Sequence, residues 1–449
     1  MAKQNEKKKK TAVKPKEVEF VEKEEKNKNV KKEEPKKEEI KKVDKKEEEQ
    51  NNLKSAIELV LIILAIIVIL AFFPGTVLWN IVVLLLILSV LIFVHELGHF
   101  ITGKMCGVHI YEFALGMGPK VLGFRRKNDP TEYTLRAFPI GGFCALAGEE
   151  GEDDENLPKD KFMCNKPKPQ KILILIAGVT MNFITALFLF VVIFGIWGTT
   201  NNESIVGSVQ EGSPAQEAGI VPGDKIVELN GYNIGTWDKL SIVSMLKHDG
   251  AFEYVVEHKD GSKDTYKIKP AKYVLVEDEY IKITKENTKE DIMKEHNLTE
   301  ETVQVVEIIG VGQTIEPETG FKNAIKNAFK EFVSVVDIML LTVGSLITGK
   351  LGLDALSGPV GMYTVVETVS AFGLANILYL MAYLSINLGV INILPFPAFD
   401  GGRCVFIIIE AIIGKKIPPK IENAIHNIGF FLILALMLYI TFKDIINLF

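Results

Sequence analysis

The stretch FVHELGHFITGKMC, residues 93–106, decides the fold. It sets His95, Glu96 and His99 at the end of a run that holds no charged residue from Leu59 to Val94. One helix over that run would be about 54 Å long, nearly twice the hydrocarbon thickness of a bilayer, so the run must break. The break is written in FFPGTVLWN (72–80), where Pro74-Gly75 turns the chain and Trp79 and Asn80 suit a membrane interface. Two spans result, and the second carries an H-E-x-x-H pattern near its end.

The rest of the 449 residues agrees with a membrane protein, since 48% are hydrophobic and these are strongly clustered. Further spans are read at 172–198, 374–399 and 427–442. The run FVSVVDIMLLTVGSLITG (332–349) carries Asp337, after which only twelve uncharged residues follow, and it reads as an interfacial or amphipathic helix. Residues 1–52 form a tail with 18 Lys and 14 acidic residues among the first 50. Such a segment has almost nothing to bury and is expected to be disordered. Its mixed charge gives no nucleic-acid reading, and the first apolar run is too long and too far from the start for a secretory signal.

Placing the Lys-rich tail in the cytoplasm by the positive-inside rule fixes the alternation of the spans. The loop 104–171, with Lys104, Arg125, Arg126, Lys127, Lys166, Lys168 and Lys171, then lies inside, as does GKKIPPK (414–420). The Pro74 loop, the segment 199–372 and the C-terminus lie outside. Were 332–349 a span, GKKIPPK would fall on the wrong side. Cys106, Cys144 and Cys164 fall in the inner loop and Cys404 near the inner end of a span, without any C-x-x-C pair, which predicts reduced thiols.

On a helix, His95 and His99 are about 40° apart around the axis, so both imidazoles can face one metal ion. Glu96 is then beside the water that such an ion activates. Three ionisable groups within five residues of a membrane helix are costly and are usually functional. A catalytic zinc site needs a third protein ligand at the same depth. Asp400, in NLGVINILPFPAFDGGRC (387–404), lies three residues before Arg403 at the same cytoplasmic end, and Pro395 and Pro397 break its helix as in segments that line a cavity. An Asp-Gly turn or helix cap is the plainer reading of Asp400. Two histidines and a carboxylate could also hold iron(II), but Glu96 has a task only in metal-assisted hydrolysis, which favours zinc.

These residues resemble the site-2 protease family of intramembrane zinc metalloproteases, in its bacterial branch of the regulator of sigma-E protease type. The resemblance covers about residues 77–449. HELGH (95–99) is similar to the family's zinc motif, and NILPFPAFDGG (392–402) to its N-x-x-P-x-P-x-x-D-G motif, which implies Asp400 as third ligand. FALGMGPK (113–120), FPIGGFCALAGE (138–149), AGVTMNF (177–183) and LSGPVGM (356–362) resemble further family segments. Phe399, Val179 and Cys144-Ala145 depart from the usual residues, but none of these removes a ligand or the base. GSVQEGSPAQEAGIVPGDKIVELNG (207–231) is similar to the PDZ domains of bacterial proteases, which accept an extended peptide or a free C-terminus. A structural cap that binds no peptide is the alternative.

The expected fold is a polytopic α-helical membrane protein. It comprises the disordered cytoplasmic tail 1–52, one extra transmembrane helix at 53–73, and a four-helix protease core formed by 77–198 and 374–449. A PDZ domain of α+β type at 204–272 and a connector with an amphipathic helix at 273–373 are inserted on the extracytoplasmic side. KVLGFRRKNDPTEYTLRAF (120–138) turns at KNDP and reads as a hairpin. It resembles the family's cytoplasmic, membrane-associated β-loop, whose edge could pair with an unwound substrate, although an ordinary surface hairpin fits too.

The implied activity is zinc-dependent proteolysis within the bacterial cytoplasmic membrane, with the active site near its cytoplasmic face. His95, His99 and Asp400 hold Zn2+, and Glu96 acts as general base and then acid. Asn387, Asn392, Gly116 and Gly118 are candidate substrate-binding residues, with packing a near-equal reading for the two asparagines. The expected partners are the lipid bilayer, transmembrane peptide substrates such as anti-sigma factors or signal-peptide remnants, and a peptide ligand at the PDZ domain. A non-catalytic PDZ scaffold and a membrane zincin of another class are the competing readings.

Overall fold

A computed structural model describes residues 76–446, apart from 150–153, 201, 247–249, 277–278, 286, 300–302 and 315–316. The expected tail (1–52) and extra helix (53–73) lie outside the described residues. The principal helices are α1 (Val77–Met105), α2 (Lys168–Trp197), α3 (Phe321–Ile347), α4 (Pro359–Ala371), α5 (Leu374–Ile393), α6 (Asp400–Ile413) and α7 (Pro419–Ile446). Of these α1, α2, α5 and α7 are long and apolar enough to cross a membrane. In lipid only a helix or closed barrel can satisfy its own backbone, so these sequences have little choice of form.

The ends of the helices follow local chemistry. Thr76 caps α1 by accepting the Trp79 N–H at 3.3 Å. The helix α5 stops at Ile393, short of the expected 399, because Pro395 and Pro397 cannot continue it. The last helix begins at Pro419 rather than 427, its first two turns being too polar to read as apolar from sequence.

The central packing event is the crossing of α1 and α2. A Cβ on Gly98 would stand 2.3 Å from the Ala177 carbonyl oxygen, so the backbones approach as only glycine permits. At one end of the bundle Arg403 pairs with Glu149, and Lys168 Nζ donates to the Glu410 carbonyl at 2.9 Å. At the other, Ser370 Oγ donates to Asn80 Oδ1 at 2.9 Å, and Asp444 Oδ2 accepts the N–H groups of Gly358 and Gly361 at 2.7 and 3.0 Å. Segments 106–167 and 394–418 therefore share one end of the bundle, and 198–373 occupies the opposite end.

A long hairpin, β1 (Ile110–Arg125) paired antiparallel with β2 (Glu132–Leu146), follows α1 and extends well beyond the expected 120–138. It bends at Gly116, Gly118 and Gly141, all with positive φ, so Phe113 lies opposite both Cys144 and Tyr133. The segment 142–146 is thus left at one edge. The bend reaches along α1: Ser89 Oγ bonds the Pro139 carbonyl, six residues before His95 and well inside the apolar run. Leu115, Met117, Val121, Phe124, Phe138 and Ile140 are exposed, an apolar tip rather than an ordinary surface hairpin.

The inserted domain has a four-stranded antiparallel sheet in the order 232–233, 225–229, 252–257, 263–268, with Ile226, Leu229, Phe252 and Val256 in its core. The fold does not end at the expected boundary of 272. Val311–Gln313 returns to pair with Val206–Val209, and Ala271–Val276 is flanked by Glu279–Lys282 and Gln304–Ile308 around Val274 and Ile292. The charged connector thus contains a small sheet, its apolar residues hidden between charges in the sequence. The helix α3 lays Ala324, Ala328 and Val335 against Phe190 and Phe194 of α2 and Ile386 of α5. It exposes Phe321, Ile325, Phe329 and Val333 at four-residue spacing, an amphipathic stripe.

Replacing Gly98 with alanine forces α1 and α2 apart, a form of overpacking that costs about 1–3 kcal/mol. The expected result is a lower denaturation midpoint in detergent; an unchanged midpoint would mean that the two backbones do not touch there.

Candidate metal centre and active site

One turn of α1 presents both imidazoles to the same point. Nε2 of His95 and Nε2 of His99 lie 3.2 Å apart, and Oδ2 of Asp400 lies 3.0 Å from the first and 3.3 Å from the second. The three ligand atoms fall within 4.8 Å of one another, both histidines are buried, and no other group of three such side chains is found among the described residues. The far nitrogens are held as well. Nδ1 of His99 lies 2.8 Å from the Ile174 carbonyl, to which it can only donate, and this leaves the Nε2 lone pair facing the cluster. Nδ1 of His95 meets the Asn182 carboxamide at 3.2 Å. Such outer bonds orient metal-ligating imidazoles and fix their tautomer. The donor set, two imidazoles and one carboxylate with the remaining space open, suits zinc.

Asp400 reaches this point through broken backbone. Between α5 and α6, Ala398 adopts φ +82°, a strained conformation for alanine, and its N–H donates to Nδ1 of His426 at 3.0 Å from α7. Asp400 then opens α6. The glycines after it permit close packing: a Cβ on Gly401 would meet the Ile393 carbonyl at 2.3 Å, and one on Gly402 the Phe396 carbonyl at 2.3 Å. The double glycine thus lets α6 fold back against the end of α5.

Glu96 follows His95 on α1, and its Oε2 accepts the backbone N–H of Cys144 at 3.0 Å. The hairpin edge at 142–146 therefore meets the carboxylate directly. Asp129, in the turn of the hairpin, is bonded by Lys104 at the end of α1, by the Thr131 N–H and by the Tyr133 hydroxyl. Burial acts to raise its pKa, but these bonds outweigh it and hold the carboxyl well below the usual carboxylate range.

The remaining expected residues are less closely tied to the cluster. Asn387 has a buried Oδ1 without a partner in α5, and Asn392 lies half-buried near the end of that helix. Gly116 and Gly118, both at φ +85°, have a conformational reason to be glycine, since a Cβ would strike the Phe138 carbonyl or ring at 2.5 Å. Sequence reasoning about the chemistry passed over Asn182 and Gly178. A polar Asn182 in an apolar span was the available signal; for Gly178 there was none. A Cβ on Gly178 would stand 2.6 Å from His95 Cε1 and from His99 Nε2.

A cluster of two imidazoles from α1 and a carboxylate from α6, closed over by α2 in a bundle with four candidate membrane spans, is the arrangement of a membrane protein with a metal site. The chain belongs to Peptidase family M50, the site-2 protease family, whose model matches residues 83–436. It is a zinc metalloprotease. A Clostridium perfringens protein named as a candidate zinc metalloprotease is 35% identical over 81% of this chain and 97% of its own length. Zinc metalloprotease RasP of Shouchella clausii is 30% identical over 81% of this chain and 98% of its own. The regulator of sigma-W protease RasP of Bacillus subtilis is 29% identical over 82% and 99%.

Replacing Gly178 with alanine drives a methyl group between the imidazoles. The purified variant is expected to hold well under one zinc per chain while keeping its helical circular dichroism; full zinc content would show that the pocket has slack.

Proposed function

We propose that this protein cleaves single-pass membrane proteins within the bilayer, with His95, His99 and Asp400 as the zinc ligands and Glu96 as the general base. The observation that carries this reading is the convergence of the three ligand atoms at one end of the bundle, beside a strand edge held to Glu96. Zinc held there supplies a Lewis acid that acidifies water and polarises a carbonyl. Glu96 takes the proton of the attacking water and returns it to the leaving amine. Its carboxylate is kept in place for this by the Cys144 N–H. Asn182 and the Ile174 carbonyl are positioning groups: Nδ2 of Asn182 lies 3.2 Å from Nδ1 of His95 and its buried Oδ1 has no partner, and turning the carboxamide over lets that oxygen accept the Nδ1 proton, which leaves Nε2 unprotonated.

A transmembrane helix hides its carbonyls in its own hydrogen bonds, so the substrate must unwind before attack. The edge at 142–146 offers backbone groups for strand addition beside Glu96. The positive-inside rule puts segments 106–167 and 394–418 in the bacterial cytoplasm, and the inserted domain and the C-terminus outside. That outer domain we read as a single PDZ domain closed by Val311–Gln313, which selects substrates already trimmed outside the membrane. The sigma-W regulator among the relatives makes anti-sigma-factor-like proteins the favoured substrate class. Asn387 and Asn392, on the helix leading to the break, are available to bind the unwound backbone or the oxyanion.

Glu96→Gln is expected to retain zinc and to lose cleavage of a reconstituted single-pass substrate by at least a hundredfold; cleavage at the native rate would refute the role of the base. Asp400→Ala is expected to lose stoichiometric zinc. Asn182→Val should weaken zinc binding about 10–100-fold, with Asn182→Asp restoring most of it; equal affinity in all three proteins would leave Asn182 a packing residue.

A further inference from the structure

A second site lies at the end of the bundle that carries the metal cluster. A cavity of about 290 Å³ opens between the start of α2 and the end of α6, and it is lined by Lys166, Lys168, Lys171, Lys415 and Lys416 with one carboxylate, Glu410. Lys168 donates to the Glu410 carbonyl and Lys166 to the Gly107 carbonyl at 3.2 Å, while Glu410 Oε1 accepts the Ile417 N–H at 2.8 Å. Among the described residues none of the five lysines makes an ion pair, whereas Lys104, Lys120 and Lys239 elsewhere are each paired with a carboxylate. Five like charges around one cavity repel one another, and the cost falls when an anion enters. The first turn of α2 has no side-chain cap, which adds the positive end of a helix dipole.

The surroundings identify the kind of anion. Next to the lysines, Leu173 and Ile176 of α2 and Ile408, Ile412 and Ile413 of α6 are exposed. A free phosphate has no use for these side chains, but the acyl chains of a phospholipid do. We propose that the cavity binds the phosphate of an anionic phospholipid, with the acyl chains along the exposed isoleucine face of α6. The lipid ties the C-terminal end of α6 to α2.

The test uses the full chain, delipidated in neutral detergent, with phosphatidylglycerol, phosphatidylcholine or inorganic phosphate added. Phosphatidylglycerol is expected to raise the denaturation midpoint above that in phosphatidylcholine and to remain as an adduct in native mass spectra. The triple variant K171Q/K415Q/K416Q should lose at least tenfold in phosphatidylglycerol affinity while keeping its midpoint in phosphatidylcholine. Should the triple variant fail to fold, K415E/K416E, confined to exposed positions, provides the same comparison. Equal response to the two lipids, or an undiminished response in the folded variant, overturns the proposal. Inorganic phosphate as effective as the lipid overturns it too, and assigns the cavity to a soluble anion.

Discussion

The backbone contact of α1 with α2 is the constraint on which the rest depends. Two imidazoles one helical turn apart are of little use unless something closes over them without filling the space between their nitrogens. Gly98 lets the helices touch, and Gly178 lies over the imidazoles with no side chain to block them. The same contact brings the Ile174 carbonyl and Asn182, both on α2, within reach of the outer nitrogens. Closeness of approach and orientation of the histidines are thus one property, set by two glycines.

The carboxylate of the cluster has a different origin. A continuous helix through residues 394–399 would carry Asp400 past the cluster, and its carboxylate could not turn back. The chain is instead broken by Pro395 and Pro397, turned sharply at Ala398 and restarted at Asp400. Irregular backbone at such a depth must find partners within the protein. His426 supplies one to Ala398, and Gly401 and Gly402 allow α6 to pack on the exposed carbonyls of the break. The strained turn is held from several sides, which is what a fixed carboxylate position requires.

Legibility in the sequence followed the range of the interaction. The pattern H-E-x-x-H states its own geometry, because a helix of any context puts residues four apart on one face. The depth of Asp400 was legible from charge alternation between loops. Asn182 and Gly178 act across a helix crossing, and nothing in a single span says which helix it will meet. The pairing of Val206–Val209 with Val311–Gln313 joins segments about a hundred residues apart and has no local signature. The hairpin was legible at its turn, where Asn128, Asp129 and Pro130 stand, but not at its glycine bends, where positive φ lets the strands turn and continue.

A site for hydrolysis needs water, and a membrane excludes it; the arrangement of the bundle reconciles the two. His99 lies about a turn and a half and His95 nearly three turns from Met105, where α1 ends, so the distance from the cluster to that end of the bundle is about 9–15 Å. The hairpin follows immediately and runs back along α1 as far as Ser89, with its apolar tip exposed and its edge against Glu96. One element thereby covers the carboxylate and presents backbone hydrogen-bonding groups beside it. A peptide leaving its helical form in lipid must exchange internal hydrogen bonds for others at once, because unsatisfied groups cost several kcal/mol there. In the function proposed above, the strand edge next to Glu96 is where the bundle would offer that exchange.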